Sequence, residues 1–236
     1  KRYVEMAHNE HLHNQTNYER RTKEEAISDY KKVIKQIQRL QQFHHNSFTD
    51  QEAFYIEHYA TIDNIERTIP QFYLTIKVHK QQLASRPIVS YSGSPLYGLA
   101  KWLDYQLQPL VKKLKSFIQD SRQLLNDCTN IDMQNAELFT ADAIGMYSNI
   151  STTHALSVIK DFLKTNPLCE DTDWKPIYIA LCIVMRHNIF QFSDLYFRQV
   201  SGTAMGTPPA PSYATLYMGI KEMELHKFNT NILLYK

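Results

Sequence analysis

The sequence predicts an α+β fold, because helical and strand-like patterns occupy separate blocks of the chain instead of alternating. Residues 1–68 are polar, with apolar residues at helical spacing, whereas residues 71–79 and 86–90 have the composition of two successive strands. A long helix, a single apolar run, two helices, a hairpin and a last helix follow. We find no internal repeat and no linker-like stretch in the 236 residues.

The N-terminal block contains two helix starts with the same capping pattern. Thr22 with Glu25, and Thr49 with Glu52, have the spacing of a capping box, in which each side chain accepts a hydrogen bond from a backbone amide at the start of the helix. Apolar residues then recur at helical intervals. Lysines and an arginine on the first helix are candidates for phosphate contacts, although a solvated helix face is the simpler interpretation.

Proline, glycine and apolar runs mark the later elements. A long helix is expected to begin near Ser94-Pro95, and Pro109 is expected to bend or divide it. Residues 138–143 (LFTADA) predict a buried strand whose polar tip is Asp142. The remaining predictions are helices near 151–164 and 174–188, a hairpin at 189–200 with Ser193-Asp194 at its turn, and a helix from Ser212 to about Lys227.

The composition is that of an ordinary globular protein, with 43% hydrophobic and 21% charged residues. The three cysteines have no metal-binding spacing, so we expect reduced thiols in the core of an intracellular protein. No stretch is long and apolar enough to span a membrane, and the N-terminus lacks the apolar segment of a signal peptide. A formal net charge of +2 says little about nucleic acid, so local clusters of charge must decide that point.

Three local patterns suggest nucleotide chemistry, and each also has a plain structural explanation. Asp142 ends an apolar run, and a carboxylate buried there needs a cation such as Mg²⁺. The alternative is that Asp142 only caps the next turn. Residues 202–211 combine glycine and proline in a stiff turn that a flat ligand can approach closely. The alternative is that this turn only connects to the helix that follows. Lys77 and Arg86 lie on or between two strands, where two cations are suited to bind a triphosphate. The alternative is that they only line a solvated edge of the hairpin.

The order and spacing of five short stretches are more specific than any one of them. The stretches are residues 72–80 (FYLTIKVHK), 86–90 (RPIVS), 93–95 (GSP), 140–150 (TADAIGMYSNI) and 202–208 (GTAMGTP). In this order they resemble the fingers and palm motifs of the reverse transcriptases of Penelope-like retroelements, and the resemblance covers roughly residues 65–225. It implies a right-hand polymerase fold, with a helical N-terminal extension at 1–68, fingers at 69–135 and an incomplete palm at 136–236.

The resemblance also implies roles for individual residues. Asp142 matches the first catalytic metal ligand, and the carbonyl oxygen of Ala143 is its companion on Mg²⁺. Tyr147 matches the aromatic residue that closes the sugar pocket and excludes a ribose 2′-hydroxyl. The other implied nucleotide contacts are Lys77 and Arg86 with the phosphates, and Met205 and Gly206 in the turn under the nascent base pair.

The implied function is RNA-directed DNA synthesis, with an RNA template, a DNA primer and dNTP as partners. The family's second carboxylate motif, an Asp-Asp strand pair, is expected after Lys236, and the chain starts at Lys1 instead of Met. We therefore expect a fragment that is inactive on its own, whose palm edge is covered by a partner protein or by a further C-terminal segment. The alternative is a non-catalytic descendant that binds nucleic acid or supports a larger complex. The expected location is the nucleus.

Overall fold

The computed structural model describes residues 11–13, 17–61, 65–78, 84–129, 131, 136–228 and 234–235. They form an α+β fold with one mixed five-stranded sheet, which confirms the predicted fold class. The strands are β1 (Tyr18–Arg21), β2 (Gln71–Ile76), β3 (Ser85–Ser90), β4 (Asn188–Phe192) and β5 (Leu195–Gln199). The α-helices are α1 (Lys23–Phe43), α2 (Asp50–Tyr59), α3 (Ile65–Thr68), α4 (Tyr97–Lys112), α5 (Ser121–Thr129), α6 (Met146–Asn149), α7 (Thr152–Thr165), α8 (Trp174–Arg186) and α9 (Ala210–Phe228).

The sheet joins strands from distant parts of the chain in the order β1-β5-β4-β2-β3. β2 and β3 pair antiparallel, as do β4 and β5, whereas β2 runs parallel to β4. β1 corrects the prediction that residues 1–68 are helical throughout. The sequence of β1 is too polar to indicate a strand. β1 is held by antiparallel pairing with β5, in which Glu19 lies opposite Arg198 and forms an ion pair with it at 2.6 Å.

A row of aromatic rings crosses one face of the sheet. Phe190 on β4 stacks against Phe72 on β2 and Phe197 on β5, with ring centroids 5.4 Å and 5.7 Å apart. Tyr18 on β1 meets the same Phe190 ring edge-on, at 5.9 Å. All three phenylalanines are buried. The row therefore fastens four strands together through side chains as well as through backbone hydrogen bonds.

The helices pack around α4 and α8. α4 contacts α2, α8 and α9, and α8 also contacts α1 and α7. A single cluster of buried apolar side chains extends from Leu12 to Leu216. The core therefore continues across the predicted domain boundaries, which lie between residues 68 and 69 and between residues 135 and 136. Those boundaries rest on the resemblance and stay predictions.

Most of the predicted helices and strands are present close to their expected bounds. Both capping boxes form: the Oγ1 atoms of Thr22 and Thr49 accept hydrogen bonds from the amides of Glu25 and Glu52, at 3.1 Å and 3.2 Å. The β4–β5 hairpin turns at Ser193-Asp194, as predicted. The predicted strand at 71–79 ends at Ile76, and His79 lies outside the described residues.

Pro109 does not divide its helix. α4 begins at Tyr97, slightly after the predicted start, and continues through Pro109 to its last turn. Leu110 and Val111 in that turn are buried. Burial of these two side chains offsets the backbone hydrogen bond that proline cannot donate.

The predicted buried strand at 138–143 is wrong. The segment has no regular secondary structure, and its Leu138 and Phe139 side chains are 83% and 81% exposed. A strand must pair its backbone donors and acceptors, and none of the five described strands lies beside this segment. Residues 138–143 are therefore exposed although they are mostly apolar, because no described strand pairs with them.

The remaining general predictions concern cysteines and membranes. Cys128, Cys169 and Cys182 are free thiols, as expected, but only Cys169 lies in the core, whereas Cys128 and Cys182 are half-buried. Burial raises the pKa of the Cys169 thiol. Within the described ranges, the structure contains no helix whose length and apolar character would let it cross a membrane.

Candidate functional site

Three segments that are far apart in sequence meet beside β3. The amide of Val89 donates a hydrogen bond to the carbonyl oxygen of Met205, at 2.8 Å. In the same way, the Thr203 amide donates to the carbonyl oxygen of Tyr147, at 2.7 Å. We call this place the junction and define it as residues 87–89, 147–150 and 202–206. Its backbone hydrogen bonds fix the turn at 202–206 between β3 and α6.

A cavity of about 20 Å³ lies inside the junction. A volume of that size accommodates about one water molecule. It is therefore packing space, and a nucleotide would have to bind on the outer surface of the junction. The cavity is lined by Tyr18, Phe72, Pro87, Val89, Tyr147, Ser148, Gln199, Thr203, Ala204 and Met205.

Tyr147 and Met205, which were predicted from distant motifs, are brought together in this cavity. Partial burial raises the pKa of the Tyr147 phenol above its ordinary value. The side chain is therefore uncharged at neutral pH. A neutral, half-buried aromatic ring is suited to contact a sugar or a base by its apolar surface.

Gly206 allows the turn to lie directly against β3. Its φ is +107°, in a region that residues with a side chain rarely adopt. A Cβ atom at this position would collide with the carbonyl oxygen of Val89 and lie 3.3 Å from the Ile88 side chain. Glycine is thus required for the contact between β3 and the turn, independently of any ligand.

Lys77 and Arg86 lie on one face of the β2–β3 hairpin. Arg86 is opposite Thr75 in the antiparallel register, and the amide of Lys77 continues the ladder by donating to Ala84 at 2.9 Å. Because side chains alternate along a strand, both cations share the face opposite to that of Val89. The structure therefore brings the two cations together, on the side of the hairpin away from the junction cavity.

Asp142 and Ala143 are exposed in the segment that precedes the junction. In the part of the chain that the structure describes, no group of three or more His, Cys, Asp or Glu residues could hold a metal ion. Mg²⁺ keeps several waters in its octahedral shell and is usually held by one or two carboxylates together with substrate phosphates. Asp142 and the Ala143 carbonyl oxygen would supply two of these oxygen ligands, and the implied Mg²⁺ site stays a prediction.

Two further residues, Tyr18 and Gln199, line the junction cavity, and neither of them is predicted from the sequence. Tyr18 belongs to β1, whose polar pattern does not indicate a strand, so no local signal identifies it. Gln199 ends β5 directly before the Gly-rich turn, and its side-chain Nε2 donates to the carbonyl oxygen of Ser201 at 3.1 Å. Its position next to the motif was the one available clue.

Fold and junction together define an α+β protein in which a Gly/Pro-rich turn is docked on a β-hairpin of a mixed sheet. No protein-family model matches the chain, and no curated protein is significantly similar to it. The function of the chain must therefore be inferred from its motifs and from the geometry of the junction.

Proposed function

We propose that the chain is a reverse transcriptase-like domain that binds an RNA template, a DNA primer and a dNTP. The observation that carries the proposal is the junction. Segments that resemble fingers and palm motifs are remote in sequence, yet they share backbone hydrogen bonds there. Their contact supports the proposal, because family motifs that form one nucleotide site must lie close together in the fold. In this proposal residues 69–135 are fingers and residues 136–236 are a partial palm.

Lys77 and Arg86 are the proposed phosphate contacts. Arg86 is exposed and Lys77 half-buried, and neither makes an ion pair within the described part of the chain. An arginine without an ion-pair partner can offer both arms of its guanidinium group to phosphate oxygens. Tyr147 and Met205 are the proposed floor beneath the sugar and base. They line the cavity on the other side of the edge strand β3, so a nucleotide bound by all four residues would have to extend around that edge.

Asp142 and the Ala143 carbonyl oxygen are proposed as the first Mg²⁺ ligands, and the other ligands would come from outside the described residues. The activity proposed for these 236 residues is accordingly binding and not synthesis. We expect no primer extension by this chain on an RNA template with Mg²⁺. Extension that depends on Asp142 would mean that another carboxylate of the chain completes the site.

Binding of a matched nucleotide tests the proposal. With a poly(rA)–oligo(dT) duplex bound, Arg86→Ala and Lys77→Ala should each weaken dTTP binding by about 10- to 100-fold, because a hydrogen bond to a charged group contributes roughly 1.5–3 kcal/mol. Arg122→Ala and Lys101→Ala, at exposed positions on α5 and α4, are the matched controls. Equal losses in all four variants, or no dTTP binding by the unsubstituted chain, would contradict the proposal.

The alternative, a non-catalytic nucleic-acid-binding or structural subunit, is favoured by the exposed position of Asp142 and by the finding that the described residues contain no group of three or more His, Cys, Asp or Glu that could hold a metal ion. The two functions differ in their response to nucleotide. In the polymerase-like case, dTTP should strengthen binding to poly(rA)–oligo(dT) whereas dGTP should not. A non-catalytic protein should bind the duplex equally well with dTTP, with dGTP or with neither.

The proposal includes a cover for the exposed segment at 138–144. Leu138, Phe139 and Ile144 are all exposed there, and apolar side chains clustered in this way usually mark an interaction surface. By the resemblance, this segment pairs with a further palm strand. A partner protein or another segment of the chain would supply that strand, and the complex would be nuclear.

A further inference from the structure

A groove of about 530 Å³ lies between α1 and α8, and it shares no lining residue with the junction cavity. Its apolar lining includes Leu40 and Phe43 on α1 and Ile179 and Ile183 on α8. Phe43 is 74% exposed, although Leu40, one turn away, is buried. Water in contact with such a ring is unfavourable, at about 25 cal/mol per Å² of apolar surface. The groove therefore has the character of a binding surface.

Positive charge lines this groove on both sides. Arg39 on α1 and Arg186 on α8 are exposed, and neither has an ion-pair partner in the described part of the chain. From Lys31 to the end of α1, and along all of α8, the sequence contains lysine and arginine but no aspartate or glutamate. The last carboxylate on α1, Asp29, already pairs with Lys32 at 3.1 Å. The groove is thus apolar inside and cationic at its rims.

The outer face of α2 has the complementary character. Phe54 is 71% exposed and Tyr55 is 40% exposed. Asp50 and Glu57 flank them on the same helix, are exposed, and form no ion pair with any described residue. Glu52 is excluded from this set because its carboxylate belongs to the capping box of the helix. α2 therefore presents the Phe54 ring on the same face as two carboxylates that form no ion pair with any described residue.

We propose that the chain self-associates, with α2 of one copy seated in the α1–α8 groove of another. The two carboxylates of α2 are seven residues apart, which is roughly 10.5 Å along a helix. The groove follows α1 from Gln36 to His44, or about 12 Å by the same rise. The groove is therefore long enough for this part of α2, whose apolar Phe54 would enter the apolar groove and whose carboxylates would face the arginines on its rims. The same contact made twice gives a two-fold dimer.

Charge reversal in pairs provides a sharp test of this contact. In sedimentation velocity at increasing concentration, the unsubstituted chain should shift from monomer toward dimer. The double variant Arg39→Glu/Arg186→Glu has an acidic groove and keeps its acidic α2. The double variant Asp50→Lys/Glu57→Lys has a basic α2 and keeps its basic groove. Each doubly substituted chain should remain monomeric alone. An equimolar mixture should associate again, because both contacts of the mixed dimer then join opposite charges.

Single substitutions separate this contact from other apolar surfaces. Phe43→Ala and Phe54→Ala should each weaken association by about tenfold, as expected for aromatic residues at the centre of an interface. Tyr105→Ala, at a highly exposed aromatic residue on α4 that lines neither the groove nor the junction cavity, should have no effect. Circular dichroism should show unchanged folding for all variants. A chain that stays monomeric at about 100 µM would overturn the proposal, because its association free energy would then be weaker than about −5.5 kcal/mol. An association that survives both charge reversals would also overturn it.

Discussion

The junction and the exposed segment at 138–144 both carry the sequence resemblance, but their backbones are satisfied in different ways. Junction residues donate and accept hydrogen bonds across segments, from Val89 to Met205 and from Thr203 to Tyr147. The exposed segment belongs to no strand pair, and its apolar side chains face solvent. The turn at 202–206 finds its hydrogen-bond partners in β3 and α6, within the described residues, whereas a motif that forms a strand depends on a neighbouring strand.

The same contrast appears in the side chains. Phe190 and Phe139 both lie in short apolar runs, yet one is fully buried and the other is 81% exposed. The difference arises from pairing: Phe190 belongs to β4, which has strands on both sides, and Phe139 belongs to none. Apolar composition therefore does not determine burial without backbone pairing.

The largest expected effect tests this contrast directly. Phe190→Ala should lower the free energy of unfolding by about 3–5 kcal/mol, because it removes a buried ring at the centre of the aromatic row. Phe139→Ala should change it by less than about 0.5 kcal/mol. Urea denaturation of the monomeric chain measures both. A loss of comparable size in both variants would mean that the 138–144 segment is packed in solution.

A second pair of variants examines the tightness of the junction. Gly206→Ala should cost about 2–4 kcal/mol, because it adds a collision with the Val89 carbonyl to an unfavourable φ. Gly93 also has a positive φ, +79°, but a Cβ there would meet nothing within 4 Å. Gly93→Ala should therefore cost only about 1 kcal/mol. Equal costs by urea denaturation would show that β3 and the turn are not in close contact.

The smallest effect concerns the protonation of Tyr18, whose pKa is raised to about 12 by burial in the junction. In the unfolded chain the phenol ionises near pH 10. Between these values only the unfolded state loses the proton, so stability falls as pH rises. At pH 11 the loss from this residue is about 1.4 kcal/mol, relative to pH 8.

Tyr18→Phe should remove this part of the alkaline loss, and urea denaturation at pH 8 and pH 11 measures it. Tyr105→Phe, at a tyrosine that is 70% exposed, is the control and should follow the unsubstituted chain. If Tyr18→Phe loses as much stability at pH 11 as the unsubstituted chain, the Tyr18 ring is open to solvent and the junction is looser than described.

Elements that are specified locally were predictable from the sequence. The capping residues Thr22 and Thr49 mark helix starts through hydrogen bonds within three residues, and the β4–β5 hairpin closes at Ser193-Asp194. The strand-like composition of residues 71–79 and 86–90 was sufficient to predict β2 and β3. In each case the residues that determine the structure lie within a short stretch of sequence.

Features that depend on distant partners were not predictable in the same way. β1 forms because Tyr18 and Glu19 meet β5, about 180 residues later, and nothing local indicates this. Motif order suggested that Tyr147 and Met205 lie together, but it did not specify the backbone hydrogen bonds that join their segments. Asp142 was expected at the tip of a buried strand, and the absence of a pairing strand among the described residues made that expectation wrong.

Amide hydrogen exchange tests the central claim most directly, namely that the junction is closed whereas the segment bearing Asp142 is unpaired. In the monomeric chain at low concentration, the amides of Val89 and Thr203 should be strongly protected, because both donate to backbone carbonyl oxygens across the junction. Amides from Phe139 to Ala143 should exchange at nearly the rate of an unstructured peptide. Strong protection from Phe139 to Ala143, with no partner bound, would contradict the account and show that the chain pairs this segment by itself.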